Sequence, residues 1–539
     1  MGKKDKKKGK GAEKTAAKTQ KKTNLKIKKT LQSKGEEDID TLLAQFAEAD
    51  QKKLQVVVEL CKAPPSKRSA FSFTMHPEKD QLFMLAGEYF NGINTMVHNE
   101  LYSYTVKQDR WHDIRCPGGP PPRCAHQTVA VQQNGGELWV FGGEFTSKSQ
   151  SQFYHYKDLW VYSIANKTWR KITAKDGPSA RSGHRMVLSQ KKLFLFGGFH
   201  DNGFDYKYFN DVHAFDLENY QWLKLEISGK LPDARSACGM AALNDGRLLV
   251  YGGYSRQKLQ GAKDDSGVIH TDMFHLVPNK HDTTGLQYKW VLVKQSGDVP
   301  NPPRCSFSFS ACCSLGQAGT WQDKAVLFGG VNDIQPPDED EKLEGEFFND
   351  LFLLDMTRGS WVELQLSGKR SAADEEKKRR RAEEDKDDVE MPDVQEADDA
   401  AAELTKASLE PQVHTVVTDG IFTLTVDMRS STSAAASNEL GSSLVARAAD
   451  KNVFWPPPRI SGGLSVRSGV LYLYGGLYEE GDKQLTLNDF YSLDLNKLEE
   501  WRVIKPLDPK DLEWFDSEDD EDDDDDDDSD SEDGSEDDH

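Results

Sequence analysis

The feature that most constrains this chain is an apolar run ended by glycine, which recurs along its length. The run LFLFGG occupies residues 193–198, and matching runs occupy 138–143, 248–253, 325–330 and 471–476. A sixth copy at 82–87 has alanine before its glycine. The first four copies are spaced 56, 55 and 55 residues apart. A fixed interval of this kind is typical of repeat architectures.

Each run belongs to a longer unit whose marks occur in one order: an arginine, the glycines, an acidic residue and a tryptophan. The arginines are Arg68, Arg123, Arg181, Arg235, Arg304 and Arg459. The structural glycines are Gly87, Gly142, Gly143, Gly197, Gly198, Gly252, Gly253, Gly329, Gly330, Gly475 and Gly476. The acidic residues are Glu100, Asp158, Asp211, Asp272, Asp350 and Asp489. The tryptophans are Trp111, Trp169, Trp222, Trp290, Trp361 and Trp501.

The spacing of these marks predicts four short antiparallel strands per unit. Glycine after the second strand can adopt positive φ, and its missing side chain would leave room for a neighbouring aromatic ring, expected to be the tryptophan. One such sheet cannot bury both faces, whereas six arranged radially bury each face against the next. The last two intervals stretch to 77 and 146 residues, which indicates insertions.

The pattern resembles the kelch repeat, which implies an all-β fold, a six-bladed kelch β-propeller. The segments DIDTLLAQF (38–46), EYFNG (88–92), FYHYKDLWV (153–161), SGHRMV (182–187) and GEFFNDL (345–351) extend the likeness. With the lysine-rich start and the basic run at 377–381, they resemble the kelch domain-containing protein 4 family. The resemblance covers nearly the whole chain and implies a eukaryotic intracellular protein.

The predicted organisation places the propeller between charged segments. It consists of a basic disordered arm (1–37), an amphipathic helix (38–53), blades 1–5 (54–368), a charged low-complexity insertion (369–455), blade 6 (456–506) and an acidic disordered tail (507–539). Two segments, 55–60 and 501–504, could each supply the outermost strand of the last blade. One of them is expected to close the ring, and the other is then surplus. A strand pair within 412–426 is a further alternative. The helix is expected to pack on the propeller, or else to enter a partner's groove.

Because strands alternate in direction within a blade, the arginines, glycines and acids should lie at one end of the propeller. The candidate partner-binding face comprises Arg68, Arg123, Arg181, Arg235, Arg304, Arg459, Tyr156 and Tyr208. Two interpretations remain open. The arginines pair with the repeat acids and tie the blades together, or some remain free to hold a carboxylate-rich peptide. The resemblance favours testing the second, since some kelch propellers bind acidic peptides through arginines at this position.

The charged segments suggest further contacts. Residues 1–34 contain fourteen lysines and two acids, whereas 516–539 contain eighteen acids and no lysine or arginine. The nuclear-localisation candidate is Lys377, Lys378, Arg379, Arg380 and Arg381, although a solvated charged loop would look the same. Ser517, Ser529 and Ser535 each have an acid three residues on and are phosphorylation candidates.

No motif indicates catalysis, so the chain is predicted to be non-enzymatic, with no catalytic residue, metal or cofactor. Seven cysteines without framework spacing favour a reducing compartment, and the absence of an 18-residue apolar stretch argues against a membrane protein. The predicted function is a monomeric protein–protein interaction scaffold or adaptor, nuclear or cytoplasmic, with no specific nucleic-acid partner. The alternatives are an assembly factor or chaperone for basic nuclear or ribosomal proteins, a ubiquitin-ligase substrate receptor and, last, a metal-dependent enzyme.

Overall fold

The structure, a computed structural model, describes residues 37–201, 205–258, 265–313, 321–334, 344–368, 453–481, 483–512 and 514. The predicted strand pair at 412–426, the basic run 377–381 and the three candidate serines lie outside the described residues. So do nearly all of the predicted arm and insertion and most of the predicted tail.

The described elements are one α-helix, thirty-five strands and two 3₁₀ turns. The helix is α1 (Ile39–Gln51), within the predicted 38–53, and the 3₁₀ turns are Val106–Gln108 and Pro509–Asp511. The first repeat contains β1 (Val57–Leu60), β2 (Ser72–Met75), β3 (Gln81–Leu85), β4 (Glu88–Phe90), β5 (Thr95–Val97), β6 (Leu101–Thr105) and β7 (Arg110–Arg115). The second contains β8 (Gln127–Val131), β9 (Glu137–Phe141), β10 (Glu144–Thr146), β11 (Phe153–His155), β12 (Leu159–Ser163) and β13 (Thr168–Ile172). The third contains β14 (Arg185–Ser189), β15 (Lys192–Phe196), β16 (Phe199–Asp201), β17 (Tyr206–Tyr208), β18 (Val212–Asp216), β19 (Gln221–Leu223) and β20 (Glu226–Gly229).

The remaining repeats continue the same order. The fourth contains β21 (Gly239–Ala242), β22 (Leu248–Lys258), β23 (Asp265–Pro278), β24 (Gln287–Leu292) and β25 (Ser296–Gly297). The fifth contains β26 (Ser308–Cys313), β27 (Lys324–Phe328), β28 (Val331–Ile334), β29 (Glu344–Phe347), β30 (Leu351–Asp355) and β31 (Ser360–Glu363). The sixth contains β32 (Gly463–Arg467), β33 (Val470–Glu480), β34 (Lys483–Asp494) and β35 (Arg502–Lys505).

Each repeat supplies four antiparallel strands of one sheet, and we number these sheets 1 to 6 along the chain. Strands β20 and β25 add in parallel to the outer strands of sheets 4 and 5. In sheet 2, for example, the order is β8-β9-β12-β13, from the innermost strand to the outermost. Sheets 5 and 6 are joined because their innermost strands, β26 and β32, also pair in parallel. The innermost strands of the six sheets contact one another in cyclic order, and β2 of the first sheet contacts β32 of the last.

Backbone hydrogen bonds also join the last repeat to the first. The Gly476 N–H donates to the Arg68 carbonyl at 3.1 Å, and the Ala70 N–H donates to the Ser461 carbonyl at 3.1 Å. Ala70 and Ser461 both have φ of 51°, a conformation that costs energy for a residue with a side chain unless the surrounding structure fixes it. The ring of innermost strands is therefore closed by the backbone itself.

The surplus strand is an addition to the first sheet. Strand β1 pairs antiparallel with β7 as a fifth, outer strand, while β35 pairs with β34 as the outer strand of sheet 6. This corrects the alternative in which residues 55–60 close the ring, and it selects the alternative at 501–504. The physical reason is that Trp501, just before β35, is 3 % exposed inside the core of sheets 5 and 6.

The hydrophobic core lies between neighbouring sheets. Between sheets 6 and 1, for example, the Tyr474 and Phe490 rings pack against Phe73, Tyr104 and Trp111. Corresponding clusters of aromatic and branched side chains fill the other junctions. Each sheet thus buries both faces, which removes most of the apolar surface from water.

The repeat glycines make room for backbone, which corrects the expectation that they accommodate tryptophan. A Cβ on Gly142 (φ +64°) would lie 2.7 Å from the Arg181 carbonyl oxygen of the next repeat. A Cβ on Gly143 (φ +91°) would lie 2.6 Å from the Cys124 carbonyl oxygen. The two glycines are therefore required where the corner approaches the backbone of the next repeat (Gly142) and of its own repeat (Gly143).

Candidate interaction face

A β-hairpin emerges between the second and third strands of every repeat, at the end that carries the glycines. The hairpins are β4–β5, β10–β11, β16–β17, the distal parts of β22–β23, β28–β29 and the distal parts of β33–β34. In the long strands the distal part begins after a register shift at Tyr251/Gly253 or Tyr474/Gly476. We call these six elements hairpins 1 to 6, and their described residues together the crown.

Neighbouring hairpins of the crown contact one another through side chains and backbone. The His155 ring of hairpin 2 lies 5.6 Å from the Phe199 ring of hairpin 3. Tyr208 of hairpin 3 lies 6.4 Å from Tyr254 of hairpin 4, and Phe347 of hairpin 5 lies 5.2 Å from Tyr478 of hairpin 6. The crown is thus an added layer whose side chains come from several repeats.

The six repeat arginines lie beneath the crown and are buried. Arg304 is 3 % exposed and the other five are 0 % exposed. In the last repeat, Arg459 Nη1 and Nη2 donate to the two carboxylate oxygens of Asp489 at 2.6 and 2.7 Å. Arg459 Nη1 also donates to the Gly475 carbonyl at 2.9 Å. The guanidinium therefore holds together the entry to the first strand, the glycine corner and the start of the third strand.

The other repeats show the same pairing with small variations. Two-point pairs join Arg123 to Asp158, Arg181 to Asp211 and Arg235 to Asp272. Arg304 contacts Asp350 through one nitrogen at 2.5 Å, and Arg68 lies 3.6 Å from Glu100.

These contacts match the interpretation in which arginines tie the fold together. They correct the interpretation in which some of the repeat arginines stand free for an acidic peptide. A buried guanidinium requires a carboxylate and carbonyl partners of its own, and the repeat acid satisfies this requirement within each sheet.

Aromatic rings complete the enclosure of the arginines. The Arg123 guanidinium lies 4.1 Å from the centroid of the Tyr156 ring, and Tyr156 donates its hydroxyl to the Pro122 carbonyl at 3.0 Å. Tyr156 is buried, so it packs on Arg123 instead of facing a partner. Tyr208 is half-buried on the crown, beside Tyr254. Of the two tyrosines proposed for the face, only Tyr208 lies where a partner could reach it.

These pairings determine the pKa values of the repeat acids. Burial alone would raise the pKa of Asp211, but hydrogen bonds from His213 and Arg181 hold that pKa well below its usual range. Burial also opposes ionisation of Glu100, yet His98 and Arg68 lower its pKa to about 2. Both acids are therefore ionised in their ion pairs at neutral pH.

A second polar cluster lies between hairpins 2 and 3, and no sequence signal indicated it. His155 Nε2 accepts from the Asp201 N–H at 3.0 Å, so the proton resides on Nδ1, which lies 3.1 Å from Ser182 Oγ. Ser182 Oγ donates in turn to Glu144 at 3.2 Å. Although serine, histidine and a carboxyl group meet here, the histidine donates to the serine and cannot take its proton. The cluster is therefore a structural network and not a nucleophilic triad.

Burial and the nearby Glu88 raise the pKa of Glu144 to about 8, so this side chain carries a proton at neutral pH. The sequence did not reveal this acid because the position after the glycines is apolar or aromatic in the other four repeats. Only Glu88 of the first repeat shares it, and burial raises its pKa as well.

Within the described ranges, no group of three or more His, Cys, Asp or Glu side chains could hold a metal ion. His126 Nε2 lies 3.0 Å from Ser72 Oγ, and burial beside Arg123 lowers the pKa of His126 to about 3. His184 is fully buried. No helix in the described part of the chain is long and apolar enough to cross a membrane.

The crown displays large apolar side chains to solvent. The most exposed are Ile93 (51 %), Met96 (45 %), Ile334 (45 %), Phe153 (39 %) and Tyr154 (39 %). Exposed basic side chains, Lys207 and Arg256, lie on hairpins 3 and 4, where Arg256 lies 5.9 Å from the Tyr206 ring. Aromatic, methionine and arginine side chains are enriched at protein interfaces.

The described residues form repeated four-stranded sheets, with one helix among them, and the inner strands are in cyclic contact; this is an all-β, propeller-like arrangement. Sequence comparison agrees with this class. Residues 72–314 match the model of the KLHDC2/KLHL20/DRC7 Kelch-repeats domain. Kelch-repeat proteins generally mediate protein–protein interactions.

Curated relatives share only part of their length with this chain. Kelch domain-containing protein 3 of Homo sapiens is 26 % identical over 272 residues, which cover 48 % of this chain and 61 % of that protein. Host cell factor of Drosophila melanogaster is 25 % identical over 299 residues, which cover 51 % and 18 %. The chain thus spans about three fifths of the length of kelch domain-containing protein 3. Over these residues the chain is similar to kelch-repeat proteins.

Among solved structures, the one titled "Structure of YjhT" is 13 % identical to this chain. The alignment has a TM-score of 0.46 and covers 82 % of this chain and 99 % of that chain.

Proposed function

We propose that this protein is a six-bladed kelch propeller that acts as a non-enzymatic scaffold or adaptor and holds a protein partner on its crown. The observation that carries the proposal is that hairpins 1 and 2, which are neighbours on the crown, both display exposed apolar side chains: Ile93, Met96, Phe153 and Tyr154. Large apolar side chains grouped on one face mark interaction sites, whereas single exposed ones need no explanation.

The chemistry of the crown defines the partner in outline. Hairpins 1 and 2 offer an apolar area, and Lys207 and Arg256 of hairpins 3 and 4 add positive charge beside it. An acidic peptide with apolar anchors fits this combination, and its carboxylates would meet these two side chains in place of the buried repeat arginines.

The test is affinity purification with quantitative mass spectrometry, comparing the wild type with a Phe153→Ser, Tyr154→Ser double variant. Because both side chains are exposed, thermal stability should change little, while recovery of specific partners should fall by about tenfold or more. The matched control is Val291→Ser with Leu292→Ser on β24, where Leu292 is 61 % exposed and belongs to none of the six hairpins. Equal recovery from the crown variant and the control would contradict the proposal.

A second candidate is an assembly factor or chaperone for basic proteins, favoured by the eighteen acids of residues 516–539. In the same purification, partners lost only when residues 516–539 are deleted would favour this function over binding at the crown. A ubiquitin-ligase substrate receptor would instead co-purify with a ligase. We also propose intracellular localisation, nuclear or cytoplasmic, and membership of the kelch domain-containing protein 4 branch of the family, both from the sequence resemblance.

A further inference from the structure

After the last strand, the chain returns to the crown as a short segment that we call the strap (residues 506–512 and 514). Its first anchor is Leu512, which packs against Tyr478 and Leu485 of hairpin 6, as does Phe347 of hairpin 5. These side chains form a cluster separate from the six clusters that fill the junctions between sheets. Hairpins 5 and 6 therefore carry an apolar site of their own, and the strap covers it.

The second anchor of the strap is Trp514, which lies on hairpin 1. Its ring packs edge-on against the Phe90 ring, with centroids 5.5 Å apart. Strands β34 and β4 of hairpins 6 and 1 contact each other, so anchors that lie two residues apart in the chain reach neighbouring hairpins. The side chains that receive the two anchors, which we call the strap site, are Phe90, Phe347, Tyr478 and Leu485.

The hydrogen bonds of the strap are local. The Lys510 N–H donates to Asp508 Oδ1 at 3.0 Å, and the Leu512 N–H donates to the Pro509 carbonyl at 3.2 Å. Within the part of the chain that the structure describes, no hydrogen bond joins the strap to the crown. The strap is therefore attached to the crown by its two apolar side chains.

Helix α1, by contrast, is attached to the crown by hydrogen bonds. Gln152, in the turn of hairpin 2, donates to the Glu37 carbonyl at 2.9 Å and accepts from the Ile39 N–H at 2.9 Å. Hairpin 2 also braces hairpin 1, because the Thr95 N–H donates to the Lys148 carbonyl at 2.8 Å. Departure of α1 would break these bonds to Gln152, whereas departure of the strap would leave the described hydrogen bonds of the crown intact.

We propose that the strap site is a peptide-binding site and that the strap occupies it as a displaceable competitor from the same chain. The site takes a peptide segment with an aliphatic and an aromatic side chain two residues apart, the chemistry that Leu512 and Trp514 present. A role in regulating partners rests on the proposed function of the crown. Phe90 shares hairpin 1 with the exposed Ile93 and Met96, so a partner that covers this hairpin must displace the strap.

Tethering determines how strongly the strap competes. Because it is covalently linked beside its site, the strap acts at an effective concentration in the millimolar range. A free peptide with the same two anchors therefore binds the wild type poorly. A protein partner overcomes the strap by adding contacts elsewhere on the crown, for example to Phe153 and Tyr154 of hairpin 2. The strap thus excludes short apolar peptides and admits partners that engage several hairpins.

Fluorescence anisotropy with a labelled peptide of residues 506–514, PLDPKDLEW, tests the site in the full chain. Leu512→Ala with Trp514→Ala empties the site, and this emptied variant should bind the peptide about tenfold more tightly than the wild type does, or more. Lys510→Ala is the matched control, because this side chain is exposed on the strap, and it should bind as weakly as the wild type. Equal affinity of the wild type and the emptied variant would overturn the proposal.

A further substitution shows where the peptide binds. Phe90→Ala in the emptied variant should weaken peptide binding by about tenfold, whereas Phe153→Ala in the same background should leave it unchanged. Both aromatic rings lie on crown hairpins outside the clusters between sheets, so thermal unfolding should confirm that both variants remain folded. Peptide binding that survives Phe90→Ala in the folded variant would contradict the assigned site.

The peptide assay involves no partner, so failure of the strap site and failure of the proposed function are distinguishable. In affinity purification, the emptied variant should recover crown partners about threefold more strongly than the wild type, and unchanged recovery would contradict regulation by the strap. If Phe153→Ser with Tyr154→Ser loses no partner while the peptide still binds the emptied variant, the proposed function is wrong and the strap site stands.

Discussion

At the scale of single residues, burial decides what a repeated charge does. Arg459 and Asp489 are both fully buried, and each satisfies the other through two hydrogen bonds. Such a pair adds little net stability, but loss of one partner leaves an uncompensated charge that costs about 3–5 kcal/mol. Glu144 is a contrasting case, because it is enclosed beside Ser182 without a basic partner of this kind. Glu144 is therefore protonated at neutral pH, whereas the repeat acids are ionised and paired with the repeat arginines.

The raised pKa of Glu144 predicts a pH dependence of folding. Between the ordinary glutamate pKa of 4.5 and about 8, the folded state binds this proton more tightly than the unfolded state does. This contribution to stability is therefore complete below pH 4.5 and is lost as the pH rises toward 8. Glu144→Gln removes the titrating group and keeps a hydrogen-bonding side chain. Its stability relative to the wild type should increase by about 1 kcal/mol or more between pH 5 and pH 8.

Urea unfolding at each pH measures this difference, and Glu218→Gln serves as the control because Glu218 is exposed. A constant difference between Glu144→Gln and the wild type across the range would mean that Glu144 ionises normally in the folded protein.

At the scale of elements, similar strands have unequal roles. Strand β1 adds a fifth strand to a sheet that is already complete, and Val58 and Leu60 stay exposed on it. Strand β35 supplies the fourth strand of sheet 6, and the residue before it enters the core. There Trp501 lies 5.9 Å from Phe328 and 6.4 Å from Tyr491. Because Trp501 is buried, β35 should contribute more to stability than β1 does.

This difference predicts unequal costs of truncation. Trp501→Ala leaves a large cavity between sheets 5 and 6 and should lower the free energy of unfolding by about 3–5 kcal/mol. Val58→Ala should change it by less than about 0.5 kcal/mol, since the side chain is exposed on an outer strand. Denaturant titrations of both variants provide the measurement. A large effect of Val58→Ala would show that β1 stabilises the ring more than its packing indicates.

At the scale of the whole molecule, stability depends on ring closure. Strand β32 contacts β2 and pairs with β26, so the last sheet covers the inner edges of both its neighbours. Exposed strand edges promote aggregation, and closure removes them. Gly368, just before the predicted insertion (369–455), also lies beside Val453 near the end of that insertion, because a Cβ on Gly368 would be 3.4 Å from Val453 Cγ2. The two described residues on either side of residues 369–452 are therefore close in space.

Two deletions should consequently differ in outcome. Replacing residues 369–452 with a short Gly/Ser linker should leave the oligomeric state unchanged, with Tm within about 2 °C of the wild type, because Gly368 and Val453 lie side by side. Ending the chain at Gly368 should abolish the cooperative thermal transition and cause aggregation on size-exclusion chromatography. A cooperative, monomeric protein without the last repeat would contradict the role assigned to closure.

The fold was largely predictable because its signals are local and repeated. Gly142 and Gly143 mark one corner, and Trp169 marks the outer strand that follows. The reason for the glycines was misassigned, since the atom that excludes a Cβ belongs to Arg181 of the next repeat. That neighbour is defined only when adjacent sheets pack. The site was less predictable, because a sequence shows that arginine and aspartate recur but not whether water reaches them.

The sequence by itself determined the order of repeats, the four-stranded unit and the opposite charges of the two ends, because these depend on residue type and spacing along the chain. Only the tertiary structure decided that the repeat arginines are buried and that β35 completes the last sheet. It also decided that Glu37 and Trp514 are held on neighbouring hairpins. These outcomes depend on which distant groups exclude water from one another, and that is settled when the sheets pack and the ring closes.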